Sequence, residues 1–194
     1  MSLHFVREFF RFPGEVGAVW PSSRALAEKI VDLAGVATAP TVLEIGAGTG
    51  VFTRRIADVL PTGANCLVLE RNAGMVRGLK KSILGLDIVE GCATRLADYW
   101  NARGWKPVRA VVSGLPWAVF GRDLQEAILT QILAISDNET VFTTFGYFGP
   151  HRLAKGRAFR AMLDGKFREV RSSPVVLRNF PPAFIYRCVG PTGK

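Results

Sequence analysis

Three glycines at alternate positions follow an apolar segment, and together they form the most informative stretch of the sequence. Residues 41–45 favour a β-strand, and Gly46, Gly48 and Gly50 come directly after them. Glycine has no Cβ, so the backbone can turn sharply there and come close to a ligand. The G-x-G-x-G spacing differs from the G-x-G-x-x-G of dinucleotide-binding folds. Glu44, two positions before the first glycine, suits a cationic or amine-bearing ligand rather than a phosphate.

A second carboxylate, Glu70, ends the next predicted strand. That strand covers residues 66–70, and Glu70 falls 20 residues after Gly50. In doubly wound folds, an acid at this place accepts hydrogen bonds from the ribose hydroxyls of a bound nucleoside. We therefore predict that Glu70 binds the sugar of a nucleoside ligand. The alternative is an ordinary surface glutamate at a strand end.

The elements that position these residues alternate between strands and helices. A helix is predicted to start at the P-S-S of residues 21–23, with a serine as its N-cap, and to end at Gly35. This alternation predicts an α/β fold with a parallel sheet, and the last two strands, with little helix between them, suggest an antiparallel strand at the end. No linker or repeat divides the chain, so residues 1–194 are predicted to form one domain. The other predicted helices cover about 51–60, 73–84, 94–100, 123–135 and 152–163, and the other strands about 86–90, 109–113, 140–145, 167–174 and 183–189.

Residues 3–20 are unusually rich in phenylalanine and arginine. Their apolar side chains fall near one broad helical face until Pro13 and Gly14 interrupt the pattern. Such a segment suits the interface of a bilayer. Packing over the core or over a bound cofactor is an equal alternative, so residues 1–35 are predicted to form a lid or a membrane-contacting segment.

The charge balance points to a polyanionic partner. The formal net charge is +9 and the sequence pI is about 10.0. A basic chain attracts nucleic acid or an anionic membrane surface, and composition does not choose between them. A solvated basic surface without a partner is the third alternative. The apolar content of 48% argues against disorder, and no apolar run reaches the roughly 18 residues that a membrane-spanning helix needs.

The cysteines and histidines argue against a metal centre. Cys66, Cys92 and Cys188 are odd in number and widely spaced, which fits neither a disulfide framework nor a metal-binding pattern. Buried thiols in a reducing cytoplasm are the expected state. Because His4 and His151 are the only histidines in the sequence, a histidine-rich metal site is not expected.

A set of short motifs spread along the chain is more specific than the glycine stretch alone. With these motifs the sequence resembles bacterial phospholipid N-methyltransferases, class I S-adenosylmethionine (SAM)-dependent methyltransferases related to the rRNA adenine dimethylases. The resemblance implies a Rossmann-like, seven-stranded, mostly parallel sheet with an antiparallel last strand and helices on both faces. The motifs are P-S-S at 21–23, E-I-G-A-G-T-G at 44–50, S-G-L-P at 113–116, F-T-T-F-G at 142–146, G-P at 149–150 and N-F-P-P-A at 179–183.

The resemblance also implies roles for individual residues around SAM. It places the methionine part of the cofactor against Glu44 and the glycine stretch, the ribose against Glu70, and the adenine against the loop after the third strand. The cofactor-binding residues expected on this basis are Glu44, Gly46, Ala47, Gly48, Gly50, Glu70, Arg71, Cys92, Ala93 and Ser113.

The motif after the fourth strand bears on the substrate. Nucleic-acid adenine methylases carry an Asn where this chain has Ser113, and serine lacks the planar amide that accepts from the base. Trp117 could stack on a base or on a methylated ammonium, or it could be an ordinary core residue. Since a protonated amine must lose a proton before it attacks, Tyr147 and His151 are candidates to receive it, and Ser113 to orient the amine. Arg152 is a candidate to bind a substrate phosphate.

The resemblance and the charge together lead to a functional expectation. The chain is predicted to methylate the amine of phosphatidylethanolamine stepwise, as a cytoplasmic monomer peripherally associated with the inner face of an anionic membrane. The alternatives are an rRNA adenine N6-methyltransferase, a SAM-dependent methyltransferase of another small amine, and a protein of this fold that binds lipid or RNA without catalysis. Lipid and RNA substrates are distinguished by which of them a labelled methyl group enters.

Overall fold

A seven-stranded sheet forms the centre of the molecule. The structure is a computed structural model that describes residues 22–149, 151 and 153–193; most of the N-terminal segment predicted to be a lid or membrane contact therefore lies outside the described residues, as does Arg152. The strands are β1 (Thr41–Ile45), β2 (Asn65–Glu70), β3 (Asp87–Glu90), β4 (Val108–Ser113), β5 (Ser136–Tyr147), β6 (Phe167–Ser172) and β7 (Ala183–Pro191).

The order of the strands confirms the predicted fold class. The sheet runs β3-β2-β1-β4-β5-β7-β6. Strands β1 to β5 pair in parallel, whereas β7 is antiparallel to both of its neighbours. β5 begins at Ser136, earlier than the predicted start at 140, because Ser136 already pairs with Val108 across an irregularity in the register.

Helices cover both faces of the sheet, as predicted. They are α1 (Arg24–Ala34), α2 (Val51–Val59), α3 (Ala73–Ser82), α4 (Leu96–Asn101), α5 (Arg122–Ala134) and α6 (Ala154–Lys166), with short 3-10 turns at Val36–Thr38, Ala93–Arg95 and Trp117–Val119. Across the described residues, no helix combines the length and the apolar character that crossing a membrane would require.

The central strand β1 divides the core into two clusters, one on each face of the sheet. All five of its residues are buried. Val42 packs in the cluster that α1 and α2 complete, whereas Leu43 and Ile45 pack in the cluster beneath α4, α5 and α6. Because neighbouring side chains of a strand point to opposite faces, one short strand anchors both halves of the core.

The carboxyl ends of β1, β2 and β4 meet at one edge of the sheet. Ile45 lies opposite Leu69 on one side and Ser113 on the other. The connections that leave these strands therefore come together at this edge, which is where open α/β sheets bind their ligands. The glycine stretch, Glu70 and the S-G-L-P motif are brought together here.

Candidate cofactor and active site

A cavity of about 340 Å³ opens at this edge of the sheet. Its volume falls within the range of small-molecule sites. Of the residues predicted to bind a cofactor, Gly46, Ala47, Gly48, Glu70, Arg71, Cys92 and Ala93 line it. Glu44, Gly50 and Ser113 are not among the lining residues, although each is next in sequence to a residue that is.

The glycine loop between β1 and α2 is held close to the loop after β4. Gly46 N donates to Leu69 O at 2.8 Å, and Gly114 N donates to Ile45 O at 2.8 Å. Gly46 has a φ of 75°, and a Cβ there would come within 2.7 Å of Leu115 Cδ2. A Cβ on Gly114 would overlap the carbonyl oxygen of Gly46. The positive φ favours glycine at position 46, and the close backbone contact requires glycine at position 114. Gly46 and Gly114 both line the cavity.

Glu70 ends β2 and holds two loops at the cavity wall. Its Oε2 accepts from Gly48 N at 2.8 Å, and its Oε1 accepts from Asn72 N at 2.8 Å. A carboxylate has about four lone-pair sites, so each oxygen keeps capacity for another donor. The side chain is nearly buried yet lines the cavity. A ligand hydroxyl pair is the kind of group that this fixed, acceptor-only side chain is suited to bind.

Glu44 is fully buried between β1 and the first turn of α2. Neither of its carboxyl oxygens has a hydrogen-bond partner of normal geometry among the described residues, and the nearby Thr53 hydroxyl is likewise unpartnered. Burial raises the pKa of Glu44 to about 8, although Thr53 favours the ionised form. An unpartnered buried carboxyl beside the glycine loop fits a ligand that brings a cationic or donor group, which agrees with the SAM hypothesis.

Cys92 and Ala93 form another part of the wall, in the loop after β3. Cys92 Sγ lies 3.1 Å from Thr94 Oγ1. This hydrogen bond lowers the pKa of the Cys92 thiol, whereas burial raises the pKa of the thiols of Cys66 and Cys188. The sequence analysis predicted that this loop contacts an adenine ring, and the loop contributes small side chains to the cavity wall.

Ser113 and Trp117 lie behind the cavity rather than in it. Ser113 is fully buried, and its Oγ accepts from Trp117 Nε1 at 3.0 Å and, less closely, from Leu115 N at 3.4 Å. Trp117 is only 2% exposed and stacks on Phe159. The structure therefore favours the core alternative for Trp117. The Ser113 hydroxyl holds the Trp117 ring through this hydrogen bond. Direct contact between Ser113 and a substrate amine stays a prediction.

Tyr147 and His151, the candidate proton acceptors, lie outside the lining of this cavity. Tyr147 is half-buried against Phe145, and burial raises its pKa. His151 borders a separate, open cavity of about 670 Å³ between α6 and β7, where its ring packs edge-on against Phe184. Its Nδ1 accepts from Gly149 N at 3.1 Å. Their catalytic role is untested, and the geometry does not aim either side chain into the cofactor cavity.

The apolar wall of the cavity was not predicted from the sequence. Phe145 belongs to the F-T-T-F-G motif, which indicated the family but did not indicate that Phe145 lines the cavity. The α5 residues Leu124 and Ile128 fall in the helix predicted at about 123–135, which was given no part in the site. The lining residues that the sequence analysis did not assign to the site include Ser22, Phe52, Met75, Phe120, Leu124, Ile128 and Phe145.

The arrangement as a whole suits a nucleoside with a short charged substituent. Aromatic and aliphatic side chains offer a surface for a flat ring, Glu70 offers acceptors for hydroxyls, and the glycine loop allows close backbone contact. Glu70 and Arg71 are the charged side chains among the lining residues that the structure describes. The cavity is thus mostly apolar with a few polar groups, as ligand sites usually are.

Sequence comparison finds relatives that are methyltransferases. Ornithine lipid N-methyltransferase from Singulisphaera acidiphila is 32% identical over 192 residues, which cover 96% of this chain and 94% of that protein. Ribosomal RNA small subunit methyltransferase A from Thermotoga neapolitana is 30% identical over 118 residues, 61% of this chain and 43% of that protein. No family model matches the chain.

Solved structures share the fold. An O-methyltransferase from Bacillus cereus in complex with SAH has a TM-score of 0.68 and 16% identity, covering 97% of this chain and 92% of that one. The O-methyltransferase TomG from Streptomyces achromogenes in complex with SAM has a TM-score of 0.65 and 17% identity, covering 98% and 91%.

Proposed function

We propose that this chain, which belongs to the SAM-dependent methyltransferase family that includes ornithine lipid N-methyltransferase, methylates the amine of a lipid headgroup. The protein is an enzyme of the class I fold, and its methyl donor is SAM. The lipid amine is supported by the relative that aligns over nearly the whole of both chains. That full-length match is the observation that carries the proposal, because the RNA methyltransferase relatives match only part of their length.

The cavity residues divide into groups that would hold different parts of the cofactor. Glu70 would accept from the ribose hydroxyls, and the loop of Cys92 and Ala93 would lie along the adenine. The backbone from Gly46 to Gly50 would approach the methionine part, with Glu44 behind it. When bound, SAM supplies a methyl group activated by its sulfonium. The protein contributes mainly by positioning, since in-line transfer depends on holding an amine at near-attack distance.

The acceptor amine is expected beside the loop after β4. Gly114, Leu115 and Pro116 line the cavity there, and Phe120 follows them. Main-chain carbonyls of this loop can accept from an amine and orient its lone pair. A headgroup amine is mostly protonated at neutral pH, so it must release a proton to water or to a side chain before attack. Tyr147 and His151 stay the candidate acceptors, at the cost of a movement or a water bridge.

Phosphatidylethanolamine is our proposed substrate within the lipid amines. Its headgroup carries a primary amine near a phosphate, and the net charge of +9 suits a chain that works at an anionic leaflet. We place the enzyme at the inner face of the membrane, as a peripheral monomer. RNA adenine methylation is the alternative, supported by the partial likeness to an rRNA methyltransferase. Ser113 in place of Asn weighs against it.

Transfer of a labelled methyl group tests the proposal directly. The protein would be incubated with labelled SAM and three acceptors: vesicles with phosphatidylethanolamine, vesicles with ornithine lipid, and total RNA. We expect label in the phosphatidylethanolamine fraction. Label in ornithine lipid alone would support a lipid amine as the substrate but reject phosphatidylethanolamine. Label in RNA alone would reject a lipid substrate. The Gly46→Val variant serves as the control without a cofactor site.

A further inference from the structure

The connection between β6 and β7 ends in an exposed apolar tip. Leu177 is 78% exposed and Phe180 is 46% exposed, and the exposed Arg178 lies between them in sequence. Monomeric proteins often expose single apolar side chains, and these need no explanation. Two large ones within four residues, around an arginine, form instead a small patch of the composition that interfacial membrane segments show. We call residues 177–182 the tip loop.

The tip loop stands on a fixed base. Val176 N donates to Ala183 O at 2.6 Å, which closes the loop where it leaves the sheet. Asn179 is only 3% exposed; its Nδ2 donates to Pro181 O at 2.7 Å, and its Oδ1 accepts from Ser23 N at 2.8 Å. Because Asn179 is held inward by these bonds, its neighbours Arg178 and Phe180 are held at the surface.

The tip loop lies on the same side of the sheet as the cofactor cavity and is joined to its wall by a hydrogen bond. β6 runs parallel to β5, so the connection to β7 emerges at the carboxyl edge of the sheet. Ser23 bonds to Asn179, and the preceding residue, Ser22, lines the cavity. The exposed Phe148 is tied to the same region, since its N donates to Pro182 O at 2.8 Å. A surface that contacts the tip loop therefore also faces the cavity.

The segments next to the tip loop carry mainly basic side chains. Neither residues 145–163 nor residues 170–183 contain an Asp or a Glu, whereas Lys155 and Arg178 are exposed there. Arg171 is also exposed, but it pairs with Glu169. Juxtamembrane basic side chains are attracted to anionic lipid headgroups. Apolar side chains that project beside them add the area that an interface buries. The combination fits an anionic bilayer better than it fits RNA, which would gain little from Leu177.

We propose that the tip loop is the part of the fold that enters the interface of an anionic bilayer, with Leu177 and Phe180 among the acyl chains and Arg178 at the phosphates. In this orientation the cavity mouth faces the headgroups, and a lipid amine reaches the site without leaving its leaflet. The suggested role of membrane binding, delivery of a lipid amine to the site, rests on the proposed lipid substrate. The binding itself is measured without that substrate, so the two can fail separately.

The test uses the full chain and vesicles of phosphatidylcholine and phosphatidylglycerol that contain no amine lipid. The variant is Leu177→Ser with Phe180→Ser, and the matched control is Leu84→Ser. Leu84 is 84% exposed but lies between α3 and β3, at the opposite edge of the sheet. We expect the double variant to lower vesicle partitioning by about tenfold or more, and the control to leave it unchanged. SAM affinity, measured by calorimetry, should be the same in all three proteins.

Several outcomes would overturn the inference. The double variant could partition like the unaltered protein, or Leu84→Ser could lose as much binding. RNA retention, measured in parallel, could fall in the double variant while vesicle binding holds, which would assign the tip loop to nucleic acid. By contrast, loss of vesicle binding in the double variant alone supports the inference. If the unaltered protein also methylates no lipid, the absence of methylation rejects the proposed function and leaves this inference standing.

Discussion

At the scale of single residues, the site is defined by side chains in opposite conditions. Each Glu70 carboxylate oxygen accepts from one backbone donor and keeps capacity for a ligand, whereas Glu44 is buried with no hydrogen-bond partner among the described residues. Both carboxylates were predicted from their positions at strand ends. Their different surroundings were not predictable, because burial of a strand-end side chain depends on the helix that packs over it, here the first turn of α2.

Glu44 should make the stability of the protein depend on pH. Its pKa is raised from 4.5 to about 8 in the folded protein, so the folded state keeps a proton that the unfolded chain releases. Stability is therefore highest below about pH 4.5 for this group and falls as the pH rises to about 8, by on the order of 4 kcal/mol. Glu44→Gln is neutral throughout, so its unfolding free energy should fall less over this window.

Denaturant unfolding at a series of pH values between 5 and 8.5, without SAM, measures this difference. The two proteins should differ most at the alkaline end, where the variant is the more stable. Parallel profiles for the two proteins would show that Glu44 is ionised in the folded state. The buried carboxylate would then have a partner that the described contacts do not include.

Cys92 should be the reactive thiol of the folded protein. It lies at the cavity with a lowered pKa, whereas Cys66 and Cys188 are buried with raised pKa values. Because the thiolate is the reactive form, iodoacetamide should modify Cys92 first. A saturating amount of S-adenosylhomocysteine should slow this modification by at least about tenfold. Peptide mass mapping gives the site, and modification of Cys92 that the ligand does not slow would remove this loop from the cofactor site.

At the scale of elements, two loops and a cap build the site. The glycine loop and the S-G-L-P loop approach each other so closely that neither Gly46 nor Gly114 has space for a Cβ. Ser23 caps α1 by accepting from Leu26 N, and its own N donates to Asn179. The P-S-S and N-F-P-P-A motifs, far apart in sequence, therefore meet in the fold. Their contact could not be inferred from spacing, since it joins the first described helix to the entry of the last strand.

Gly46→Val should strongly weaken SAM binding while the rest of the fold survives. The change places a branched side chain at a φ of 75° and against Leu115. The loop must then either shift or keep a strained backbone, and this strain has a free energy of about 1–3 kcal/mol. We expect SAM affinity to fall by at least about tenfold in calorimetry. Circular dichroism would check that the variant is folded.

Gly78→Ala is the matched control for a glycine replaced by a larger residue. Gly78 lies exposed in α3, and a Cβ there meets nothing within 4 Å. The substitution should keep SAM affinity and raise stability by up to about 1 kcal/mol, because alanine favours the helix. Unchanged SAM affinity in a folded Gly46→Val protein would contradict the assignment of the glycine loop.

At the scale of the whole molecule, the fold was predictable from the sequence, whereas the division of residues between the cavity wall and the core was not. Alternating strands and helices specify a parallel sheet, and the strand ends specify which loops meet at one edge. Whether Ser113 and Trp117 face the cavity or the core depends on packing against Phe159 of α6, which no local pattern encodes. For the same reason Phe145, Leu124 and Ile128 were not predicted to line the cavity.

A structure of the protein with S-adenosylhomocysteine tests the central claim most directly. We expect the nucleoside in the cavity at the ends of β1, β2 and β4, with its ribose at the Glu70 carboxylate and its adenine beside Cys92 and Ala93. A ligand bound elsewhere, or a ribose without contact to Glu70, would contradict the assignment of the cavity as the methyl-donor site.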